Sequence, residues 1–498
     1  MNVRLCTRLK DLRSDQFTRA VMFYHSCVMV YKSVFVLILS LCTCHSQLLA
    51  DRLFPNLAAS TREITNTLTN HSLFKFLTKT AGDVFADTVY SITRIPVAVV
   101  RAIGSIEVPS IINVRNNVDM DRILAEYASG LANEDATLSV DKLIVKYGHP
   151  VEKHEVITED GYVLTMFRIP GNGSVVFLMH GLLGSADDYV IAGPESSLAC
   201  LLANDGYDVW LGNARGNKHS RRHISLAPSE ALFWDFSWHE IGNYDLPAMI
   251  DYTLNTTDKK SLQYIGHSQG TTSFFVMGSQ RPEYNAKIDL MIALSPVSYM
   301  SHQRSPPVRL MAPGTSIIDT TLKSFGVYEI LPDSQIFRIL RRLMCGVGPL
   351  SQVLCSNALL LTVGFGFSEL NVTNLPVIYG HVPSGASVKQ LAHFGQEILS
   401  GEFRQYDYGP KENKRKYGSV TPPNYPVEKI SAPVSLFYSN DDWMSHPEDV
   451  DKLYKRLVNC IDIYKIPHEQ FNHLDFIWAK NFKSIIFKRV KKLLKAFT

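Results

Sequence analysis

A serine between two glycines gives the strongest chemical signal in the sequence. Residues 266–270 read Gly-His-Ser-Gln-Gly, after a short apolar run at 262–265 and before a run with helical spacing. This order predicts a strand, a very sharp turn and a helix, with the hydroxyl of Ser268 exposed at the turn. Gly266 and Gly270 fit because only small residues leave room there for the neighbouring strand and helix. We therefore expect Ser268 to be a nucleophile, the alternative being a chance match in a loop.

A serine hydroxyl needs a base to take its proton, and the base needs an acid to orient it. In enzymes built around this kind of turn, the acid and then the histidine follow the serine in the chain, each just after a strand. Two apolar runs late in the sequence are followed, respectively, by a pair of aspartates and by a histidine. We predict that His473 is the base and Asp442 the acid, with Asp441 as the competing acid.

Negative charge on the reacting oxygen requires backbone N–H donors. One is expected from Gln269, the residue after the nucleophile, and the other from Leu182, in the loop after an apolar run at 175–179. We interpret His180 in that loop as structural and Arg215 as half of a buried ion pair. The sequence has no metal-ligand spacing and no phosphate-binding loop.

Six apolar runs of strand length alternate with helical patterns. Continuous apolar runs are typical of buried parallel strands, and the alternation predicts a mostly parallel sheet with helices on both faces. A further segment at 154–169 alternates around Gly161 and predicts a β-hairpin. The expected class is α/β, with the α/β-hydrolase fold that carries this type of serine turn. The predicted strands are 175–179, 207–211, 262–265, 290–294, 434–438 and 461–466.

One interval interrupts the alternation. Between Pro296 and Pro433 the chain has amphipathic pieces broken by prolines and no buried-strand pattern. We predict that residues 298–428 form a mainly helical cap or lid domain over the active site. It would be inserted between two parts of the core, at 119–297 and 429–498.

Two apolar segments have competing interpretations. Residues 358–367 are too hydrophobic to lie in water, so we place them against the substrate cleft or the inner face of a lid, with ordinary cap core as the alternative. Residues 482–497 are expected to form a final helix packed on the sheet, with a membrane-surface helix as the alternative.

Residues 1–46 have the features of a presequence, with the signal peptide at about 29–46. A short apolar run at 34–41 follows a lysine and precedes small residues, as in a cleaved secretory signal. A translation start near Met29 would give that signal an ordinary basic region, whereas a start at Met1 makes it unusually long. A signal anchor in the membrane is the competing interpretation. Residues 47–118 have no readable motif and are a pro-segment or a flexible arm.

Charge and cysteine usage narrow the function class. The net charge of +3 is too small to indicate nucleic-acid binding, and residues 1–46 carry +4, which leaves −1 for the rest.

Cys345 and Cys355 close a short loop and are predicted to form a disulfide in an oxidising compartment. Cys200 lies in an apolar helical run and is predicted to be a buried free thiol. Sequons predict surface glycosylation at Asn70, Asn172, Asn255 and Asn371.

Six motifs form a specific set: YGHPVEKHEV at 147–156, HGLLGS at 180–185, WLGNARGN at 210–217, FWDFSWHE at 233–240, GHSQGTT at 266–272 and FNHLDFIW at 471–478. With them, the chain from about residue 135 onward resembles the acid lipases, the group that contains gastric and lysosomal acid lipases and related insect lipases. The resemblance implies a Ser268, Asp442 and His473 triad and oxyanion donors at Leu182 and Gln269. It also implies a cap and lid over an apolar acyl cleft, and no cofactor.

The resulting hypothesis is a secreted or lysosomal serine lipase that hydrolyses neutral lipid esters, triacylglycerol or cholesteryl ester, through an acyl-enzyme. Its substrate would lie at a lipid–water interface, with transient contact to a membrane or lipid-droplet surface and no nucleic-acid partner. A carboxylesterase for small soluble esters is the nearest alternative, because it would use the same residues. A non-catalytic lipid-binding or storage protein on the same fold is the alternative from another class. The sequence leaves the oligomeric state open.

Overall fold

The computed structural model of the chain describes residues 133–324, 326–332, 363–364 and 368–497. All of them belong to the unit Asp119–Thr498. The predictions for the presequence and for residues 47–118 therefore concern residues outside the described ranges. The same applies to Cys345, Cys355 and Asn70, and to all of the apolar segment 358–367 except Val363 and Gly364.

A nine-stranded sheet forms the centre of the described structure. In space the order is β1-β2-β4-β3-β6-β7-β10-β11, with the short β5 paired to β2. Strands β4, β3, β6, β7, β10 and β11 run parallel, whereas β1, β2 and β5 add antiparallel pairs at one end. The strands are β1 Glu152–Ile157, β2 Tyr162–Ile169, β3 Val175–Met179, β4 Asp208–Leu211, β5 Arg222–His223, β6 Leu262–Ser268, β7 Ile288–Pro296, β10 Val434–Tyr438 and β11 Cys460–Lys465.

Both faces of the sheet are covered, as the unbroken apolar runs predict. Val175, Phe177 and Met179 of β3 pack into one buried apolar cluster, and Val176 and Leu178 pack into a second cluster on the opposite face. Successive side chains of a strand point to opposite faces, so every residue of such a strand is buried only when helices cover both. The α/β-hydrolase class predicted from the sequence is confirmed.

Helices connect most of the parallel strands. A short π-helix, Ile241–Asp245, joins α3 to α4, and another, Lys483–Phe487, precedes the last helix. The helices are α1 Val140–Lys146, α2 Leu198–Asn204, α3 Trp238–Glu240, α4 Leu246–Thr257, α5 Gln269–Gln280, α6 Pro306–Met311, α7 Thr315–Ser324, α8 Leu375–His381, α9 Val388–Ser400, α10 Pro410–Tyr417, α11 Pro447–Arg456, α12 Asp475–Trp478 and α13 Lys488–Ala496. None of the helices in the described ranges is long and apolar enough to cross a membrane.

The predicted elements agree closely with the observed ones. The hairpin pairs β1 with β2 in antiparallel register around Gly161, and β3 and β10 have the predicted bounds. The carboxy-terminal helix α13 buries Val490 and Leu494 in the cluster that contains Val176 and Leu178 of β3. This favours a helix packed on the sheet over a membrane-surface helix. Strand β7 is longer than the predicted 290–294. Ile288 and Asp289 extend its start, and Ser295 and Pro296 extend the end that faces the nucleophile.

The interval predicted to be a cap contains α6 to α10 in its described part. It also contains a pair of two-residue strands, β8 Glu329–Ile330 and β9 Ala386–Ser387, where the sequence predicted no strand. Two residues are too short for periodicity to reveal them. Apolar residues of this interval belong to both buried clusters, so its described part packs against the core. These residues are Leu375, Val377, Ile378, Phe394, Phe403, Tyr425 and Val427.

Candidate active site

Ser268 lies at the junction of β6 and α5 in a strained backbone conformation. Its φ of 51° and ψ of −120° are adopted easily only by glycine. A Cβ added to Gly270 would lie 2.2 Å from the carbonyl oxygen of Met179, and one added to Gly266 would lie 2.8 Å from the carbonyl group of Gly270. The two glycines are therefore required by close packing, as the sequence predicted, and the turn projects the serine hydroxyl from the sheet.

The tertiary structure brings Ser268 together with the predicted base and acid. Nε2 of His473 lies 2.8 Å from Oγ of Ser268, and Nδ1 lies 3.0 Å from each carboxylate oxygen of Asp442. Because a carboxylate can only accept hydrogen bonds, Nδ1 carries the hydrogen and donates a hydrogen bond to Asp442. Nε2 is then free of hydrogen and accepts from the serine hydroxyl, which is the arrangement a general base requires.

Asp442 is completely buried and still held as an anion. The backbone N–H groups of Met444 and Ser445 each donate to Oδ1 at 2.9 Å, and the hydroxyl of Ser295 donates to Oδ2. Burial opposes ionisation, but the charge and hydrogen bond of His473, with these further donors, keep the pKa of Asp442 below its usual value.

Asp441, the competing acid, is in a different environment. It is half-buried, and burial raises the pKa of its carboxyl group. The hydrogen bonds described for Nδ1 of His473 go to Asp442 and Ser295, so the geometry favours Asp442 as the orienting acid.

The loop after β3 lies directly against the nucleophile. A Cβ added to Gly181 would lie 3.1 Å from Cβ of Ser268, so the loop passes beside the nucleophile just before Leu182, one of the predicted donors. Gln269, the other predicted donor, is the first residue of α5, where backbone N–H groups have no partner within the helix. The side chain of Gln269 donates to Gln390 of α9 at 2.7 Å, which connects the serine turn to the cap interval.

His180 holds that loop in place and does not contact the triad through any described hydrogen bond. Nδ1 donates to the carbonyl oxygen of Gly181 at 2.7 Å, and Nε2 accepts from the N–H of Ala214 at 3.1 Å. Burial lowers the pKa of His180 to about 4, so the ring is neutral. The bond to Gly181 fixes the peptide unit whose other end is the N–H of Leu182.

Arg215 is buried in an ion pair, as interpreted from the sequence. Its guanidinium donates to Asp245 at 2.7 Å and to Asp160 at 2.8 Å, and it lies 4.0 Å from the ring centre of Tyr162. The two carboxylates occupy the donors of the guanidinium, so Arg215 is not available to bind another anion.

Two comparisons with known families cover the amino-terminal half of the core. Residues 140–193 match a partial α/β-hydrolase lipase region, and residues 174–312 match the α/β-hydrolase fold. Among individual relatives, Lipase 1 of Drosophila melanogaster is 44% identical over 363 residues, which cover 72% of this chain and 80% of that protein. Gastric triacylglycerol lipase of Homo sapiens is 37% identical over 370 residues, which cover 72% of this chain and 92% of that protein.

The chain belongs to the acid lipase family.

As an acid lipase on the α/β-hydrolase fold, it is a serine ester hydrolase. Lipase 3 of Drosophila melanogaster, at 43% identity over 70% of this chain and 91% of that protein, adds a second insect relative. The resemblance deduced from the sequence motifs is thereby confirmed.

The site of this acid lipase contains residues that sequence reasoning missed. Ser295 contacts both Asp442 and His473, and His267 donates from Nε2 to the carbonyl oxygen of His473 at 2.9 Å. Burial, and then the charge of His473, lower the pKa of His267 to about 3, so that ring is neutral. The only sequence signal for Ser295 was a serine–proline pair at the end of a predicted strand, and it carried no information about contacts.

The two described residues of the apolar segment 358–367, Val363 and Gly364, lie against the same loops. The carbonyl oxygen of Val363 accepts from the N–H of Trp443 at 3.3 Å and from the N–H of His473 at 3.5 Å. A Cβ added to Gly364 would lie 2.3 Å from the carbonyl oxygen of Asp441. This segment therefore reaches the loops that carry the acid and the base.

The remaining surface predictions can be located in part. Asn172 and Asn255 are exposed, whereas Asn371 is half-buried and its side-chain oxygen accepts from Thr373. Cys200 is buried with a free thiol, as predicted.

Proposed function

We propose that this acid lipase hydrolyses carboxylic esters of neutral lipids, triacylglycerol or cholesteryl ester, through an acyl-enzyme on Ser268. The observation that carries the proposal is the continuous chain of contacts from Ser268 through His473 to Asp442. This chain also argues against a non-catalytic lipid-binding protein, because a storage role gives no reason to keep a serine in strained geometry beside a buried base.

In the first half of the reaction, Oγ of Ser268 attacks the ester carbonyl carbon while Nε2 of His473 takes the hydroxyl proton. The carbonyl oxygen becomes negative and accepts from the N–H groups of Leu182 and Gln269. Asp442 stays ionised and stabilises the imidazolium that forms.

In the second half, the imidazolium of His473 gives its proton to the departing alcohol, and the carbon–oxygen bond of the ester breaks. A water molecule then attacks the acyl group on Ser268, with His473 as its base. The fatty acid leaves, and the serine hydroxyl is restored with the proton that His473 returns.

A lipid substrate is favoured over a small soluble ester for two reasons. Relatives that align over 90–93% of their own length are named gastric triacylglycerol lipase, at 36–38% identity. The apolar segment 358–367 reaches the catalytic loops through Val363, where it would contact acyl chains. A lid that opens at a lipid surface would gain about 25 cal/mol for each Å² of apolar surface it transfers from water.

We further propose a secretory route, to the extracellular space or the lysosome. The signal-peptide pattern in residues 29–46 supports it, and the exposed sequon residues Asn172 and Asn255 are accessible to glycosylation. A Cys345–Cys355 disulfide would form on this route, and peptide mapping without reduction would detect it.

The proposal is tested with purified protein against a triacylglycerol emulsion, a cholesteryl ester and a short soluble ester. We expect Ser268→Ala to lose activity on every ester by a factor on the order of 10⁴ or more, without a change in folding. A serine-directed phosphonate should label Ser268 in the wild type and nothing in the variant. Labelling of another serine, or full activity of the variant, would disprove the assignment.

The same assay separates the lipase from the carboxylesterase. A lipase should gain activity steeply once the triacylglycerol forms an interface, because the lid then opens against lipid. A rate that follows dissolved substrate alone, with the short ester preferred, would identify a carboxylesterase.

A further inference from the structure

Ser295 lies between the strand of the nucleophile and the strand of the acid. It is near the end of β7, which pairs with β6 on one side and β10 on the other. In these ladders Ser268 is opposite Pro296, and Leu294 is opposite Phe437. Parallel strands end at the same edge of a sheet, so the last residues of β7 face the gap that the catalytic side chains share.

The side chain of Ser295 is completely buried and contacts both members of the acid–base pair. Its Oγ donates to Oδ2 of Asp442 and lies 2.6 Å from Nδ1 of His473. A hydroxyl has one hydrogen and two lone pairs, so it can donate to the carboxylate and accept part of the Nδ1–H bond at the same time.

The backbone at Ser295 is strained in the same sense as at the nucleophile. Its φ of 54° lies in the left-handed region, which residues other than glycine rarely adopt. In this backbone conformation the hydroxyl of Ser295 points at Asp442 and His473.

We propose that Ser295 is a positioning residue for the Asp442–His473 pair. This inference rests on the proposed function, since it assigns Ser295 a role in the same reaction. The Ser295 hydroxyl holds the carboxylate in line with Nδ1 and spreads its negative charge over one more donor.

Other titratable groups lie close to this pair. Asp441 precedes Asp442 on the loop after β10, and Asp475, the first residue of α12, interacts electrostatically with Asp441, Asp442 and Glu369. The ring of His267 is centred 4.9 Å from the ring of His473. None of these groups has a described hydrogen bond to Nδ1, so a change at Ser295 alters one contact of Nδ1 and leaves their contacts in place.

The test compares Ser295→Ala and Ser295→Gly with wild type on the short soluble ester. Both variants remove the hydroxyl, but glycine also relaxes the positive φ, so it controls for a purely structural role. We expect both to lower kcat about tenfold with KM nearly unchanged, as the loss of one hydrogen bond to a charged group predicts. We also expect the acid limb of the pH–rate profile to move to higher pH, because Asp442 without this donor concentrates more negative charge beside the ring of His473.

Ser279→Ala is the matched control, because this buried serine donates to the carbonyl oxygen of Val276 on its own helix, α5, away from the catalytic loops. It should leave kcat and the acid limb as in wild type. The inference fails if Ser295→Ala and Ser295→Gly behave like this control, or if Ser295→Gly keeps the wild-type kcat. It also fails if kcat falls and the acid limb stays in place. Retained activity of Ser268→Ala in the same assay would instead overturn the proposed function.

Discussion

The loops after β3 and after β10 each bury a carboxyl group at the same edge of the sheet, in opposite charge states. Asp442, after β10, receives hydrogen bonds from side-chain and backbone donors and is ionised. Asp188, after β3, has no hydrogen-bond partner at Oδ1 among the described residues. Burial, and then the negative charge of Asp187, raise the pKa of Asp188 to about 8.

Asp187 shows that the difference does not come from burial alone. It is as buried as Asp188, but it accepts from His219 at 2.7 Å and from His381 at 2.6 Å, and it pairs with Lys218 at 2.5 Å. These partners outweigh burial and hold the pKa of Asp187 well below its usual value. The donors and charges around a buried carboxyl group therefore decide its protonation, and each state has a different consequence when the group is removed.

The largest effect should come from the ionised acid in the active site. Asp442→Asn keeps the shape but no longer holds Nδ1 of His473 as a donor, so we expect kcat to fall by about 10⁴. Asp441→Asn is the control and should cost less than about tenfold. A larger loss for Asp441→Asn would mean that the acid is the neighbouring residue. Both are measured by steady-state kinetics on the short soluble ester.

The next effect should be on stability. Asp187→Asn removes the buried anion that Lys218, His219 and His381 share, which we expect to lower the free energy of unfolding by about 3–5 kcal/mol. Denaturant unfolding measures it. Asp205→Asn removes the anion of an exposed pair with Lys491 and should cost at most about 1 kcal/mol. Equal losses in the two variants would show that the Asp187 cluster is not energetically distinct from a surface pair.

The smallest effect, and the sharpest test of the comparison, concerns Asp188. Its folded-state pKa of about 8 lies above the unfolded value, so its contribution to stability is complete below about pH 4 and is lost as the pH rises to about 8. Asp188→Asn cannot lose a proton and should flatten this part of the curve.

Melting temperatures of the wild type and Asp188→Asn at pH 5 and pH 8 test this prediction. At pH 8 the melting temperature of Asp188→Asn should rise relative to that of the wild type, compared with the difference at pH 5. The neutral rings of His180 and His267 act in the opposite direction in both proteins, so they cancel in the difference. Parallel curves for the two proteins would show that Asp188 is already ionised in the folded state.

Local spacing made much of the site predictable from the sequence. The serine turn follows from the spacing of Gly266 and Gly270. A Cβ at these positions would lie 2.8 and 2.2 Å from neighbouring backbone atoms, so no side chain fits. The acid and base follow from chain order and from the ends of apolar runs. Strands such as β3 and β10 were delimited correctly because burial on both faces leaves an unbroken apolar run.

What the sequence by itself determined is therefore the class of fold and the identity of the nucleophile turn. These depend on patterns within a few residues of one another. Only the tertiary structure placed Ser295 against Asp442 and His473, and Val363 against the catalytic loops. It alone showed Asp187 with three cationic or hydrogen-bonding partners, and Asp188 with an oxygen that has no partner within the described ranges. Those properties depend on side chains that are distant in the chain and meet only when the sheet is assembled, so no local pattern could encode them for a reader of the sequence.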